Sequence, residues 1–342
     1  MTLASLSIPI VLAGLAGGAF GAVVGARQAL ALAGALIVVG ELNGGSGSGG
    51  SLTGTPALEI EGLGGTLGVG PLFGPHVAFA GGVAAAAYLG RSQMFDTGFR
   101  YHQAKSIGKP LGSRPKLLAV GAAFGGGGAV LAQLIFAVGL PLDPVALTVV
   151  LSAVVHRVAL GYPLVGPVRD GLLDMSPFER QERWEGDRGR KHGRRGRLIV
   201  EPWLPEHYAW DQVAALGAVV GAAAGYLARV SNSVFLAFGL TAASLVVLSA
   251  GRSSFPVTHH MALPAGIAAV AVDAGPAVAI VVAAGFGVVA GLVGEFGERA
   301  LYAHGDTHFD PPMVAILITS LLLTGLAAAG VLEPGPIPYP GV

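Results

Sequence analysis

The sequence predicts an all-α polytopic membrane protein of about ten transmembrane helices, arranged as two inverted repeats of five helices each. Three observations predict this fold: the composition, ten apolar stretches of roughly membrane-spanning length, and a residue pattern that occurs twice in the same order. Hydrophobic residues make up 53% of the chain and charged residues 12%, whereas soluble domains carry about 25% charged residues. The mean hydropathy is +0.67. Composition alone therefore indicates an integral membrane protein.

The apolar stretches give the number of spans. A helix needs about 20 predominantly apolar residues to cross a bilayer. The predicted spans lie at 6–25, 28–42, 75–91, 116–140, 143–162, 210–228, 233–250, 257–273, 276–298 and 311–331. Because the second stretch is short, the first two stretches alternatively form a re-entrant hairpin. Either arrangement returns the chain to the same side of the membrane.

A repeated pattern predicts the duplication. The segment HVAFAGGVAAA at 76–86 is matched by HMALPAGIAAV at 260–270. Further pairs follow in the same order: Phe124-Gly125 with Phe286-Gly287, Gln133 with Glu295, and Asp143-Pro144 with Asp310-Pro311. Five spans per copy is an odd number, so the second copy enters the membrane from the opposite side. The repeats are therefore predicted to be inverted.

The charge distribution predicts the domains and the topology. We predict a first repeat at 1–165 with a Gly/Ser-rich outer loop at 43–74, a basic cytoplasmic linker at 166–209, and a second repeat at 210–342. Basic residues collect on the cytoplasmic side. Placing 92–115 and 163–209 inside puts nearly every Lys and Arg there and both termini outside, as in a multi-pass cell-membrane protein. The linker cations would contact anionic lipid headgroups, and we predict no nucleic acid partner.

Polar residues inside the spans are the candidate functional residues, because such groups are costly in lipid. The candidate transport or ligand residues are His76, Gln133, Asp143, His260, Glu295 and Asp310. Each has a structural alternative. The two His residues can be helix starts at the headgroup level, and the two Asp residues can be N-caps before a proline. Arg299, four residues after Glu295, is a candidate salt-bridge partner.

A second polar set suggests a metal site. The chain has no Cys, so a divalent metal would need imidazole and carboxylate ligands. Such ligands cluster on the predicted inner side as His259, His260, His304, Asp306 and His308. A short polar turn between two spans would have the same composition.

Two further features have simple interpretations. The segment TLGVG at 66–70 superficially resembles a potassium selectivity filter, but the second copy has no counterpart, and a filter needs several such loops around one axis. His156 and Arg157 form a polar notch in the fifth span. We expect Arg157 to extend to the membrane interface.

These features favour a channel or transporter for a small solute or ion, with its pathway between the two repeats. In architecture alone this plan resembles the ammonium and urea channels and the five-plus-five secondary transporters. One alternative is a membrane metalloenzyme that acts on a lipid-linked substrate at the cytoplasmic face. Another is a structural or accessory subunit, whose small-residue faces would pack on a partner subunit or on a second copy of the chain.

Overall fold

The computed structural model describes residues 7–44, 64–92, 102–183, 198–205, 207–252 and 254–333. Within these ranges the chain is helical and contains no β-strand, only an isolated bridge between Arg183 and Leu198. The all-α prediction is therefore confirmed for this part of the chain.

Helices form in all ten predicted stretches. The first half contains α1 (Ile8–Val24), α2 (Ala26–Gly44), α3 (Ala80–Arg91, preceded by a π-helical turn at Pro75–Phe79), α4 (Pro115–Val138) and α5 (Pro144–Ala159). The linker contains the short helix α6 (Ser176–Glu179). The second half contains α7 (Trp210–Ser231), α8 (Phe235–Ala243), α9 (Val246–Ser249), α10 (His259–Ala271), α11 (Pro276–Gly297, continued by a π-helix at Glu298–Tyr302) and α12 (Pro311–Ala328).

The helices differ in whether they are long enough to cross a bilayer. Among the described residues, four helices are both long and apolar enough: Pro115–Val138, Trp210–Ser231, Pro276–Tyr302 and Pro311–Ala328. Helices α1 and α2 together make a fifth candidate, bent by 118° where they meet. The bend falls at Gly25, whose φ of 94° is a conformation that favours glycine. The protein is thus a helical membrane protein with four to five candidate spans, and the remaining helices are shorter than a full crossing.

Small residues let two pairs of long helices pack closely. Helix α1 packs along α4, and α7 packs along α11. At Gly125 of α4, an added Cβ would lie 2.5 Å from both the carbonyl oxygen of Gly14 and the Cα of Gly18. Such backbone contact is typical of helices in lipid, where small residues drive association.

The two halves meet along two helix crossings. Helix α2 packs on α8, and α5 packs on α12. The hydroxyl of Ser320 on α12 accepts a hydrogen bond of 2.9 Å from the backbone N–H of Asp143 at the start of α5. The end of α5 contacts the start of α12 through Thr307, so the two helices run antiparallel. A large apolar cluster that includes Phe79, Val149, Leu263 and Met313 fills the space between the halves.

The last part of the predicted outer loop lies within the bundle instead of outside it. Residues Gly64–Val69 form a π-helix on α2, where Gly68 contacts Ile37. The carbonyl of Leu72 lies against Gly17, near the middle of α1, where it leaves no room for a Cβ. Because TLGVG is helical, its carbonyls do not form the exposed ring that a selectivity filter needs. The Gly/Ser-rich part of the predicted loop lies outside the described residues.

Candidate functional site

A small cavity lies at the end of the bundle against which the linker packs, which we call the linker end. This inner cavity has a volume of about 30 Å³, more than the roughly 10–15 Å³ that one water molecule requires. Helix α10, helix α11 with its π-helical extension, and the linker meet around it. Its lining consists of Trp203, Leu204, His207, Val213, Leu216, Val257, His260, Met261, Gly291, Gly294, Glu295, Glu298 and Pro311.

Glu295 and Arg299 form a buried ion pair beside the cavity. The guanidinium Nε of Arg299 donates to a carboxylate oxygen of Glu295 at 2.6 Å, which confirms the pairing predicted from their spacing. The two terminal nitrogens donate to the carbonyls of Leu173 and Tyr208, both at 2.8 Å. The guanidinium also lies 4.5 Å from the ring centre of Trp210. The linker therefore supplies most of the partners that hold this cation in place.

Glu298 is a buried carboxylate that the sequence argument missed. It is 4% exposed and lines the same cavity as Glu295, one helical turn away. Its Oε1 accepts a hydrogen bond of 2.7 Å from the backbone N–H of Trp203. The sequence signal was the spacing of the two acids, because residues three apart on a helix share a face.

His260 lines the cavity from the start of α10. It is 6% exposed, and its Nδ1 has no hydrogen-bond partner among the described residues. The edge of its ring faces Gly294 of α11, where an added Cβ would lie 3.2 Å from Nε2. The neighbouring His259 packs against Phe238, with ring centres 5.9 Å apart. His260 is thus one of the predicted transport residues that the structure brings together with Glu295.

The other predicted inner residues form separate contacts. The ring of His308 bonds to Asp310 at 3.0 Å, and Asp310 caps α12 by accepting from the N–H of Met313. The Nε2 of His304 donates to the carbonyl of Leu172. In the described part of the chain, no group of three or more His, Asp or Glu side chains has a geometry that could hold a metal ion. The geometry gives no support to the metal site predicted at His259, His260, His304, Asp306 and His308.

The prediction that Arg157 extends to the membrane interface is wrong. Arg157 and His156 are fully buried. The Arg157 side chain turns into the loop before α12, where its Nε donates to the hydroxyl of Thr307 at 2.8 Å. Its guanidinium lies 5.0 Å from the ring centre of Phe309. Hydrogen-bond acceptors inside the protein are within reach of the guanidinium, so the side chain has no need of water.

The predicted outer residues lie elsewhere in the bundle. His76 is buried at a helix start, and its carbonyl presses against Gly128, about halfway along α4. This depth does not fit a helix start at headgroup level. Gln133 is half-buried on α4, and Asp143 caps α5 by accepting from the N–H groups of Val145 and Ala146. The capping predictions are confirmed, but none of these three residues lines the inner cavity.

The linker is a structural part of the linker end. Met175, Ile199 and Val200 pack with Ala303 at the start of the loop before α12. The N–H and hydroxyl of Ser176 donate to the carboxylate of Asp174 and lower its pKa, so this turn stays hydrogen-bonded at neutral pH. The most basic part of the predicted linker, residues 188–197, lies outside the described residues.

Comparison with known proteins gives one match. A model for a family of unknown function, DUF7973, matches residues 1–339 of the chain. Neither the curated proteins nor the solved structures include a match.

Proposed function

The chain belongs to this family of unknown function, and we propose that it is a membrane channel or transporter for a small solute or ion. Its pathway would run at the interface of two inverted five-helix repeats. The observation that carries the proposal is the inner cavity, which is lined by the second proposed repeat and the linker and places two carboxylates and an imidazole with an unpartnered nitrogen between helices of a membrane protein. Ionisable groups at such depth are costly and generally mark ion or substrate pathways.

Close packing supports the proposed duplication. Gly125 of α4 contacts Gly14 and Gly18 of α1, and Gly287 of α11 contacts the equivalent pair on α7. The contact atoms also correspond. A Cβ on Gly125 would meet the Gly14 oxygen and the Gly18 Cα, and a Cβ on Gly287 would meet the oxygen of Gly217 and the Cα of Gly221.

Interrupted helices support a pathway within the membrane. The π-helical turn that leads into α3 begins beside the middle of α4, and residues 70–74 before it form an irregular turn packed on α1. Irregular backbone at membrane depth is tolerated where it is enclosed by protein or lines a cavity. Transporters with inverted repeats use such broken helices to present helix ends near the midplane.

A flux assay tests the proposal. Purified protein in liposomes would be exposed to gradients of small cations, anions and neutral solutes, with protein-free vesicles of the same lipid as the control. We expect at least one class to cross faster than in the control vesicles. Rates equal to the control for all three classes would contradict the proposal.

The inverted topology has its own test, because the chain contains no Cys. Single cysteines would replace four exposed residues: Ser113, Ser254, Pro141 and Ser231. We expect a membrane-impermeant thiol reagent to label the first two from one side and the last two from the other. Labelling of Ser113→Cys and Ser254→Cys from different sides would contradict the inversion.

One observation favours an accessory subunit as the second candidate. The space between the halves is filled by apolar side chains such as Val83, Val145, Leu263 and Ile316, which would close a continuous passage. A structural role predicts isolation from native membranes in a hetero-complex of fixed composition, together with no flux in liposomes. Flux by the isolated protein would exclude a purely structural role.

A further inference from the structure

Two buried carboxylates line the inner cavity, and they differ in their ionic partners. Glu295 and Glu298 are each 4% exposed, and Arg299 forms an ion pair with Glu295. All three nitrogen groups of Arg299 are committed, one to Glu295 and two to linker carbonyls. With both carboxylates ionised, one negative charge at the cavity therefore has no guanidinium in contact with it.

Glu298 carries that charge. Among the described residues its carboxylate accepts one hydrogen bond, from the neutral N–H of Trp203, and no cationic side chain forms an ion pair with it. Lys105 acts on Glu298 through its charge, and its ammonium lies 3.7 Å from a carboxylate oxygen of Glu201 and 4.2 Å from the ring centre of Tyr302. Burying a carboxylate without an ionic partner costs on the order of several kcal/mol of folding free energy. Binding of a cation or a proton at the carboxylate offsets this cost.

His260 independently indicates a ligand at the same place. It comes from α10 rather than α11, is 6% exposed and lines the cavity, and its Nδ1 has no hydrogen-bond partner in the described part of the chain. A neutral imidazole nitrogen without a proton accepts a hydrogen bond. Two carboxylates and one imidazole thus surround the space with acceptors.

We propose that the inner cavity binds one hydrogen-bond-donating monovalent cation of the size of a water molecule, held by Glu298, Glu295 and His260. The volume of about 30 Å³ is large enough to admit an ion of this size. Carboxylate oxygens and an unprotonated imidazole nitrogen are hydrogen-bond acceptors, which suits a cation that donates hydrogen bonds. An ammonium ion and a hydrated proton share this chemistry.

This inference extends the proposed transport function, and the role of the bound ion rests on that function. Binding of the ion itself does not require transport. The charged and titratable groups that face the bound ion or act on it are Glu295, Glu298, Arg299, His207, His259, His260, Lys105 and Glu201. Only Glu298 among the carboxylates lining the cavity lacks a cationic partner in the described structure. Substitutions at Glu298 should therefore have the largest effect on binding.

The first experiment measures binding in detergent, where transport plays no part. The thermal unfolding midpoint of the full-length protein would be followed against ammonium chloride at constant pH and ionic strength, with sodium and tetramethylammonium chloride as controls. We expect a saturable rise with ammonium alone, because a ligand that binds the folded state stabilises it. Glu298→Gln should weaken apparent binding by about tenfold or more, the effect of losing a charge-assisted hydrogen bond.

The second experiment detects a proton as the ion. Infrared difference spectra would be recorded during an acid titration without ammonium, and the protonated carboxyl band of the wild type would be compared with that of Glu298→Gln. If Glu298→Gln does not fold, two other variants replace it. Glu298→Asp keeps the negative charge, and His260→Gln keeps a hydrogen-bond acceptor. Asp273→Asn changes an exposed carboxylate and serves as the matched control.

The outcomes distinguish an ammonium-type ion from a proton, and they distinguish ion binding from transport. An ammonium response that depends on Glu298 identifies an ammonium-type ion, and a carboxyl band that depends on Glu298 identifies a hydrated proton that transfers its proton to Glu298, which becomes a neutral carboxyl group and leaves water in the cavity. The proposal is overturned if neither signal differs between the wild type and the Glu298 and His260 variants. An equal response to sodium or tetramethylammonium would also overturn it. Binding without liposome flux would leave this site intact and contradict the transport function.

Discussion

The matching residues His76 and His260 have different surroundings in the two halves of the molecule. Both histidines lie at the start of a short helix and are buried, at 3% and 6% exposure. The carbonyl of His76 is pressed against Gly128, and the position matched to Glu295 is the neutral, half-buried Gln133. His260 instead faces a cavity that two carboxylates share. The helix packing is alike in the two halves, whereas buried charge near these histidines is concentrated in the second.

The linker explains why the second half can hold these charges. A buried charge is tolerated only when its desolvation is offset by well-placed hydrogen bonds. Carbonyls of Leu173 and Tyr208 supply them for Arg299, and the N–H of Trp203 does so for Glu298. The site at the linker end is therefore built by three segments, of which one lies outside both proposed repeats.

The largest expected difference in stability between the two halves comes from the buried charges of the second half. Arg299→Met would leave Glu295 and two linker carbonyls without their donor, and we expect a loss of about 3–5 kcal/mol in the free energy of unfolding. Gln133→Leu, at the matched position of the first half, should stay within about 0.5 kcal/mol. Equilibrium unfolding in mixed detergent micelles measures both.

A double variant checks the cause. Adding Glu295→Gln to Arg299→Met removes the stranded negative charge, so part of the lost stability should return. If Arg299→Met destabilises the protein no more than Gln133→Leu, the contrast between charged and neutral halves does not hold.

The next prediction tests whether the packing of the two halves is truly alike. Gly125→Ala and Gly287→Ala each place a methyl group against backbone atoms of the facing helix, and we expect both to cost about 1–3 kcal/mol. Gly127→Ala and Gly285→Ala are the matched controls, because nothing lies within 4 Å of an added Cβ at either position. The controls should be neutral or more stable by up to about 1 kcal/mol. A loss of stability at only one of the two contact positions would show that the helix packing also differs between the two halves.

The helix caps predict a smaller difference. Removing either cap with Asp143→Ala or Asp310→Ala should cost about 0.5–2 kcal/mol. The two losses should be of similar size, because Asp143 accepts from two N–H groups and Asp310 bonds to one N–H group and to His308. Asn at each position retains a capping oxygen and serves as the control. A loss for one Ala variant that exceeds the other by more than about 1 kcal/mol in the same unfolding assay would contradict this prediction.

The smallest effect concerns the two histidines themselves. His76→Gln should leave the ammonium-dependent shift of the unfolding midpoint unchanged, because His76 does not line the inner cavity. His260→Gln should weaken that shift by a few-fold, about the effect of one altered hydrogen bond. The same thermal measurement compares both, and a weaker response in His76→Gln would place the ligand elsewhere.

Local signals predicted much of this molecule correctly. Helices occur in all ten apolar stretches, Asp143 and Asp310 cap helices before a proline, and Arg299 pairs with Glu295. Each of these depends on residues within one turn, or on hydrophobicity summed over a single segment. The first two stretches, for which a re-entrant hairpin is the alternative interpretation, form two helices that meet at a bend of 118°.

Long-range contacts were not predictable from such signals. The depth of the helix start at His76 depends on Gly128 of another helix, and the burial of Arg157 depends on Thr307, 150 residues later. Glu298 gained its significance only from the linker segment that folds over it. A sequence pattern carries no direct record of which distant backbone groups reach a side chain.

The sequence by itself determined that this is a helical membrane protein, because apolar content and segment length follow from composition and order alone. It also determined where helices begin at capped prolines, which is a local matter of backbone hydrogen bonding. Only the tertiary structure decided which polar residues form a site. The free energy of a buried charge depends on the donors, acceptors and cavities around it, and here distant segments of the chain supply them.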